Sequence, residues 1–329
     1  MNRVLSLVLC CFSMTFAFGQ QDKQFTHYMY DRMSYNPATT GFKGFCGTLM
    51  YRNQWDRVQD APNSTMFNAQ GNLQKVTLGP GGLGVGISFV NDAIGFQRNN
   101  TVNVNAAYHY PTTAGILSAG VGLGAINVGF NPTWIPPQVA ADLDPAINSI
   151  NQQIGATGFD ANFGLYWYGN QKYYVGISTT HLAPANLSKV SFSVARHYYV
   201  MGGYTYDLGE GVGLGTGKLL LKPSALIKSD MATMVFDINL TADYWLNTST
   251  YFWAGASYRY SDAIAVMAGY AFSPSANINR DLAKIGYSFD IMTNPLNAYG
   301  KGTHELFLNY CMFPPAPPVP RSSNPFILE

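Results

Sequence analysis

The feature that most constrains the fold is a repeated two-residue alternation of apolar and polar side chains. From residue 234 to 244 the even positions are apolar, while the odd positions from 237 to 243 are Asp, Asn, Thr and Asp. Residues 101–110 and 283–291 repeat the pattern. Because a strand shows alternate residues to opposite faces, each segment has one apolar and one polar face. The polar faces carry only scattered charges, unlike the outer surface of a soluble sandwich.

Composition decides what the apolar faces contact. Charged residues make up 11% of the chain, whereas an ordinary soluble domain has about 25%. After the N-terminal leader, no segment approaches the roughly 18 consecutive apolar residues that a membrane helix needs. In lipid, only helices and closed barrels satisfy every backbone hydrogen bond. We therefore predict an all-β, antiparallel transmembrane β-barrel in an outer membrane, with Phe236, Ile238 and Leu240 facing lipid.

The alternating segments number about fourteen, an even number as expected for a single-chain barrel. They lie near residues 44–56, 64–74, 82–91, 100–110, 115–127, 159–169, 172–181, 196–207, 217–228, 232–245, 250–260, 262–273, 281–291 and 303–313. Short connections at 111–115, 170–172 and 246–250 indicate periplasmic turns, and longer connections indicate extracellular loops.

The chain divides into four parts. Asn2 and Arg3 followed by an apolar run to Phe18 predict a secretory signal peptide over residues 1–19. Residues 20–43 precede the first strand and are expected to be periplasmic or to form part of a plug. The barrel is expected over 44–313, and the Pro-rich residues 314–329 are expected to form an extended periplasmic tail.

The long connection over residues 129–158 contains signals for a short surface helix. Asp144 and Pro145 precede Ile147 and Ile150 at helical spacing. Together with Trp134, this helix is our candidate extracellular partner loop, although it could instead only cap the barrel mouth.

Nine charged residues fall on the inward face of their predicted strands. They are Arg52, Lys222, Lys228, Asp237, Asp243, Arg259, Lys284, Asp290 and Glu305. Their mixed signs favour a closed, salt-bridged interior, with polar residues facing lumen water as the alternative.

Two cysteines, Cys46 and Cys311, occupy the first and last predicted strands. Those strands must be neighbours in a closed barrel. Both side chains have inward parity near the periplasmic end, so a disulfide is a candidate. The alternative is two unrelated small residues, which a register shift of one or two residues would separate.

We identify no catalytic residue, cofactor-binding residue or metal ligand. The five histidines are dispersed without metal-ligand spacing, and a net charge of +1 indicates no nucleic-acid partner. A spatial cluster of Ser or Asp with His at one rim remains the enzymatic alternative.

Several short motifs follow one another in a particular order along the chain. They are Tyr35-Asn36-Pro37-Ala38 followed by Gly41, Tyr51-Arg52-Asn53-Gln54-Trp55, Asn91-Asp92, Arg196-His197-Tyr198-Tyr199, Leu221-Lys222-Pro223-Ser224, Gly255-Ala256-Ser257-Tyr258-Arg259 and Ile285-Gly286-Tyr287-Ser288. Their order and spacing resemble the PorP/SprF family of the type IX secretion and gliding machinery of Bacteroidetes. The tail after the last strand departs from that pattern.

This resemblance implies an accessory barrel that supports export or cell-surface retention of a large adhesin. The implied partners are a secreted surface adhesin, the translocon and periplasmic ring proteins of the system, besides outer-membrane lipid. A channel or transporter for a small or hydrophobic solute is the alternative, because alternation shows a barrel without showing its cargo.

Overall fold

The computed structural model describes residues 23–42, 44–73, 81–130, 154–169, 172–183, 186–187, 192–211 and 217–313. Fourteen antiparallel strands form a closed β-barrel. They are β1 (Phe45–Asn53), β2 (Asn63–Leu73), β3 (Gly82–Ile94), β4 (Gln97–Thr112), β5 (Gly115–Phe130), β6 (Ile154–Gly169), β7 (Tyr173–Thr180), β10 (His197–Tyr204), β12 (Lys218–Ser229), β13 (Met234–Trp245), β14 (Thr250–Arg259), β15 (Ala263–Phe272), β16 (Asp281–Met292) and β17 (Thr303–Met312).

Short elements complete the described chain. Strands β8 (Asn186–Leu187) and β9 (Phe192–Ser193) pair with each other, and β11 (Tyr206–Glu210) pairs with β12. Short 3-10 helices span Tyr28–Tyr30, Pro37–Thr39 and Pro295–Ala298. None of the helices in the described ranges is long and apolar enough to cross a membrane.

The barrel closes by pairing its first and last strands. In this pair Phe45 lies opposite Met312, and Asn53 lies opposite His304. On the other side of the molecule, β10 pairs with β12. The sheet therefore closes on itself, as the prediction of a barrel requires.

The predicted alternation is confirmed in the wall. Ile238 and Leu240 are 55% and 50% exposed on the outer face, whereas Asp237, Asn239 and Thr241 are at most 2% exposed. Outward apolar side chains continue around the barrel and provide the surface that faces lipid. An apolar outer face around a polar interior is the arrangement of a barrel that spans an outer membrane.

The two ends of the barrel differ in their connections. At the end where β1 begins and β17 finishes, Thr112 and Gly115 bracket a two-residue turn. At the opposite end, Phe130 and Ile154 bracket a long connection. We call these the terminus end and the loop end.

Several strands are longer than their apolar pattern predicts. Strand β4 begins at Gln97 and β6 begins at Ile154, earlier than the predicted starts near residues 100 and 159. The ladder continues there through polar pairs, such as Asn100 opposite Asn127. Backbone pairing extends beyond the apolar band, whereas alternation reports only the part of a strand that faces lipid.

We expect Ile238→Lys to lower the folding yield of the barrel. Ile238 lies near the middle of β13, and a lysine on the lipid face near the bilayer midplane costs about 2–4 kcal/mol. Refolding into vesicles, scored by the heat-modifiable migration of the folded band, measures the yield. The matched control is Ile238→Leu. Equal yields for these two variants would contradict the lipid-facing placement of Ile238.

Asn239 faces inward, so the alternation by itself predicts that Asn239→Lys leaves the folding yield of the barrel unchanged. The structure changes that expectation, since Asn239 is 1% exposed inside the packed lumen. Introducing a lysine there crowds a closed interior, so Asn239→Lys should also fold poorly.

Candidate functional site in the barrel lumen

The N-terminal segment, residues 23–42, runs through the inside of the barrel. At its start, Lys23 lines cavities at the loop end beside Ile94. At its far end, Phe42 lines a small cavity together with Cys46 and Cys311 at the terminus end. The segment therefore spans the lumen from one mouth to the other.

Apolar side chains of the segment pack against opposite parts of the wall. Phe25 is 1% exposed and belongs to one cluster with Trp253 and Phe307. Tyr35 is fully buried, and its ring lies 5.6 Å from that of Tyr199 in a second cluster. Burial of these rings holds the segment in place by the hydrophobic effect.

Charged side chains of the wall form a continuous buried network. Arg52 on β1 lies 2.7 Å from Asp290 on β16 and 2.9 Å from Glu305 on β17. Arg259 on β14 lies 3.2 Å from the same Asp290 and 3.0 Å from Asp237 on β13. All five side chains are at most 3% exposed. Pairing of opposite signs compensates part of the cost of burying these charges.

The N-terminal segment is part of this network. The backbone N–H groups of Thr26 and His27 each donate to a Glu305 carboxylate oxygen at 2.8 Å. The His27 Nδ1 atom lies 2.6 Å from Glu305. The Thr26 hydroxyl accepts from Arg52 Nη1 at 2.8 Å and donates to Asp290. The wall charges therefore bind the segment as well as one another.

Farther along, Asn36 fixes the segment to the opposite wall. Its side-chain oxygen accepts from the N–H of Ala38 and caps the 3-10 turn that begins at Pro37. Its Nδ2 donates to the carbonyl oxygens of Leu165 at 3.0 Å and Ile177 at 3.3 Å. The Asn-Pro-Ala motif therefore joins the segment to β6 and β7.

Glycines on the inward face of the wall make room for the segment. A Cβ atom at Gly164 would lie 2.0 Å from Asn36 Oδ1, and one at Gly84 would lie 1.9 Å from the Thr40 oxygen. Gly41 has a φ of +70°, which favours glycine. At Gly84 and Gly164 the segment therefore lies too close to the wall for the wall residue to carry a side chain.

We expect Gly164→Ala to loosen the N-terminal segment, because its new methyl group collides with Asn36. The matched control on the same strand is Gly155→Ala, whose Cβ would lie 3.7 Å from the nearest atom. Limited trypsin digestion of the folded barrel should cut after Arg32 faster in Gly164→Ala than in Gly155→Ala. Indistinguishable cleavage of the two variants would show that the contact does not hold the segment.

The structure places all nine predicted lumen charges on the inner face. Seven are buried, namely Arg52, Lys228, Asp237, Asp243, Arg259, Asp290 and Glu305. Lys222 is partly buried and forms an ion pair with Asp243. Lys284 is also partly buried and lies 5.1 Å from the ring centroid of Tyr30.

Cys46 and Cys311 lie directly opposite each other where β1 pairs with β17. Their Cα atoms are 4.0 Å apart, and the structure joins their sulfurs in a disulfide. The bond lies beside a cavity of about 100 Å³ at the terminus end.

The candidate partner loop lies outside the described residues. This applies to Trp134, Ile147 and Ile150 and to the helix predicted near 145–153. The signal peptide over residues 1–19 and the tail over 314–329 likewise lie outside the described ranges.

Two cavities open at the loop end. One has a volume of about 540 Å³ and is lined by Arg52, Trp55 and Tyr260 among others. The second has a volume of about 410 Å³ and is lined by Asp160 and His181 among others.

Two features of the lumen were missed from the sequence. His27 gives no local signal for its contact with Glu305, which is 278 residues away. The inward glycines gave a weak signal in the sequence, because Gly120, Gly122 and Gly124 occupy successive inward positions of β5. A glycine-lined inner face indicates close approach of another backbone.

The histidines are not all isolated in space. The rings of His181 and His197 lie 5.9 Å apart, and His181 Nδ1 lies 3.0 Å from Asp160. Within the described ranges, no three His, Cys, Asp or Glu side chains are arranged to hold a metal ion.

Solved outer-membrane barrels resemble this chain at low sequence identity. The toluene transporter TbuX of Ralstonia pickettii has a TM-score of 0.49 and 14% identity, over 85% of this chain and 93% of its own. The toluene transporter TodX of Pseudomonas putida has a TM-score of 0.47 and 10% identity, over 84% and 91%. A FadL homologue of Pseudomonas aeruginosa has a TM-score of 0.46 and 11% identity, over 84% and 91%.

No curated protein sequence matches the chain. Its motifs do match a family model, that of the type IX secretion system membrane protein PorP/SprF, over residues 17–310. The match includes the Asn-Pro-Ala turn of the N-terminal segment as well as Arg52 and Arg259 of the buried network. The chain belongs to the PorP/SprF family of type IX secretion membrane proteins.

Proposed function

We propose that this protein is a non-enzymatic accessory barrel of type IX secretion, and that it supports export or cell-surface retention of a large adhesin. Family membership over residues 17–310 is the observation that carries the proposal. The family and fold are those of outer-membrane secretion or transport barrels rather than enzymes. Type IX secretion components are accordingly the proposed partners, namely the translocon and periplasmic ring proteins.

The filled lumen supports an accessory role over that of a wide conduit. The N-terminal segment contacts β1, β6, β7, β16 and β17 through the side chains described above. Removing the segment would leave the buried charges of the network without the hydrogen bonds that Thr26 and His27 supply. A secreted polypeptide would therefore be expected to bind at a rim rather than to pass through this barrel.

The loop end is the proposed adhesin-binding side. The two cavities of about 540 and 410 Å³ open there, and the long connection between β5 and β6 leaves the wall at the same end. Trp134, Ile147 and Ile150 remain the proposed contact residues of that connection. An apolar contact surface beside a polar mouth suits a protein partner.

Replacing residues 133–152 with a short Gly-Ser linker should reduce adhesin display while leaving the barrel folded. The replacement stops before Ile154, where β6 begins. An epitope inserted between Thr113 and Ala114, in the turn at the terminus end, is the control. Whole-cell immunolabelling of the adhesin measures display, and the folded band measures the barrel. Normal display in cells carrying the linker would exclude this loop as the contact.

Affinity purification of the tagged barrel from outer membranes tests the wider proposal. Co-purification of a surface adhesin with translocon or ring components is the expected result. The competing function is a channel for a small or hydrophobic solute, for which the cavities at the loop end offer room. Steady solute-dependent conductance of the purified barrel in planar bilayers, with no co-purifying secretion protein, would overturn the accessory role.

A further inference from the structure

The smaller of the two cavities at the loop end has the properties of a built binding site. It is separate from the arginine network and is enclosed by the ends of β3–β7 and by the chain before β10. Three of its lining side chains, Asn103, Asp160 and Thr180, are each at most 7% exposed. The chemistry of these buried side chains indicates what can bind in the cavity.

These three side chains present unused hydrogen-bond acceptors. Among the described residues, Asn103 Oδ1, Asp160 Oδ2 and Thr180 Oγ1 have no hydrogen-bond partner. A buried oxygen without a donor costs free energy, so it favours a ligand that supplies one. Asn103 Oδ1 and Asp160 Oδ2 can only accept, so they favour a ligand with N–H or O–H donors, whereas the Thr180 hydroxyl can accept or donate.

The register places two of these residues in one row on the inner face of the wall. Asn103 on β4 lies opposite Gly124 on β5, which lies opposite Asp160 on β6. Neighbouring strands are about 4.8 Å apart, so Asn103 and Asp160 stand about 10 Å apart across a position with no side chain. A Cβ at Gly124 would lie 2.3 Å from Asn103 Oδ1. Asn103 Oδ1 therefore lies over Gly124, on the side of Asn103 that faces Asp160.

The charges around the cavity favour a cation. Its titratable lining consists of Asp92, Asp160, Lys23, His181 and His197, so two carboxylates lie with one ammonium and two imidazoles. Asp160 contacts His181 through one oxygen only. By contrast, Asp237, Asp290 and Glu305 across the lumen each contact an arginine. A buried carboxylate without such a partner attracts a positively charged donor.

We propose that this cavity binds a basic side chain, arginine or lysine, of a polypeptide that docks at the loop end. A guanidinium group suits it best, because it is always charged and its planar fork of N–H donors matches a carboxylate such as that of Asp160. The proposal rests on the proposed function, since it names the chemistry by which the barrel would hold a secreted partner. Its physical test is independent of any cellular partner.

The test uses the full-length purified barrel and two capped tripeptides, Gly-Arg-Gly and Gly-citrulline-Gly. Citrulline preserves the shape of arginine but removes its charge. Calorimetric titration should detect binding of the arginine peptide and binding about tenfold or more weaker for citrulline. Asp160→Asn should weaken arginine binding similarly, and Thr180→Val should weaken it less. Asp207→Asn, an exposed carboxylate paired with Lys218 at the terminus end, is the control and should bind as wild type does.

Equal binding of both peptides, or unchanged binding to folded Asp160→Asn and Thr180→Val, would overturn the proposal. Absence of arginine binding to the wild-type barrel would also overturn it. Heat-modifiable migration verifies folding of each variant, and Thr180→Val provides the test if Asp160→Asn fails to fold. Peptide binding without adhesin association in cells would refute the proposed function and leave the site standing. Adhesin association in cells without peptide binding would refute the proposed site and leave the proposed function standing.

Discussion

Replacing Arg52 with methionine should destabilise the barrel more than any other single change in its network. Arg52 contacts Asp290, Glu305 and Thr26 inside the lumen near the loop end. Removing one partner of a buried ion pair costs about 3–5 kcal/mol, because the remaining charge stays buried without compensation. Midpoints of urea unfolding in vesicles measure the loss. The matched control is Arg57→Met, whose guanidinium is exposed and only loosely paired with Asp56.

A second readout separates release of the N-terminal segment from general weakening of the wall. Arg52→Met should increase trypsin cleavage after Arg32 in the folded barrel, whereas Arg52→Lys should increase it less. The double variant with Glu305→Gln should cost less than the sum of the two single changes, since the pair interacts directly. Additive losses with unchanged cleavage would show that Arg52 does not hold the segment.

Loss of the Cys46–Cys311 bond should have the other largest effect. The bond closes a loop of 265 residues in the unfolded chain. By the chain-entropy model, a loop of that size corresponds to stabilisation on the order of 5 kcal/mol. It also joins β1 and β17, the first and last strands of the barrel. Cys46→Ser should therefore lower the urea midpoint and slow refolding into vesicles.

The thiol chemistry supplies its own control. Reduction should shift the wild-type midpoint to that of Cys46→Ser and should leave that variant unchanged. Mass mapping of unreduced peptides should recover residues 46 and 311 in one linked fragment. Two alkylatable thiols in the native protein would refute the bond, and equal midpoints before and after reduction would refute its stabilising role.

The two-residue alternation predicted the barrel and nearly all of its strand positions, because lipid requires apolar side chains and the lumen accepts polar ones at successive residues. The parity of Ile238 and Asp237 follows from that rule alone. Boundaries such as Gln97 did not follow, because the ladder continues where the apolar pattern ends. The short strand β11 carried no pattern of its own.

Parity also brought Cys46 and Cys311 to the same face of neighbouring strands, but only the tertiary register set them directly opposite each other. A shift of one or two residues would have left the sequence pattern almost unchanged. Register depends on how all fourteen strands stagger to close the barrel, which no single strand encodes.

The sequence by itself determined the membrane class, the inner and outer faces and the family. Only the tertiary structure decided what fills the lumen, because the N-terminal segment is held by contacts between residues far apart along the chain. His27 meets Glu305 across 278 positions, and Asn36 meets Leu165 across 129. Such contacts leave no periodicity in the sequence, since each arises from closure of the whole barrel around the segment.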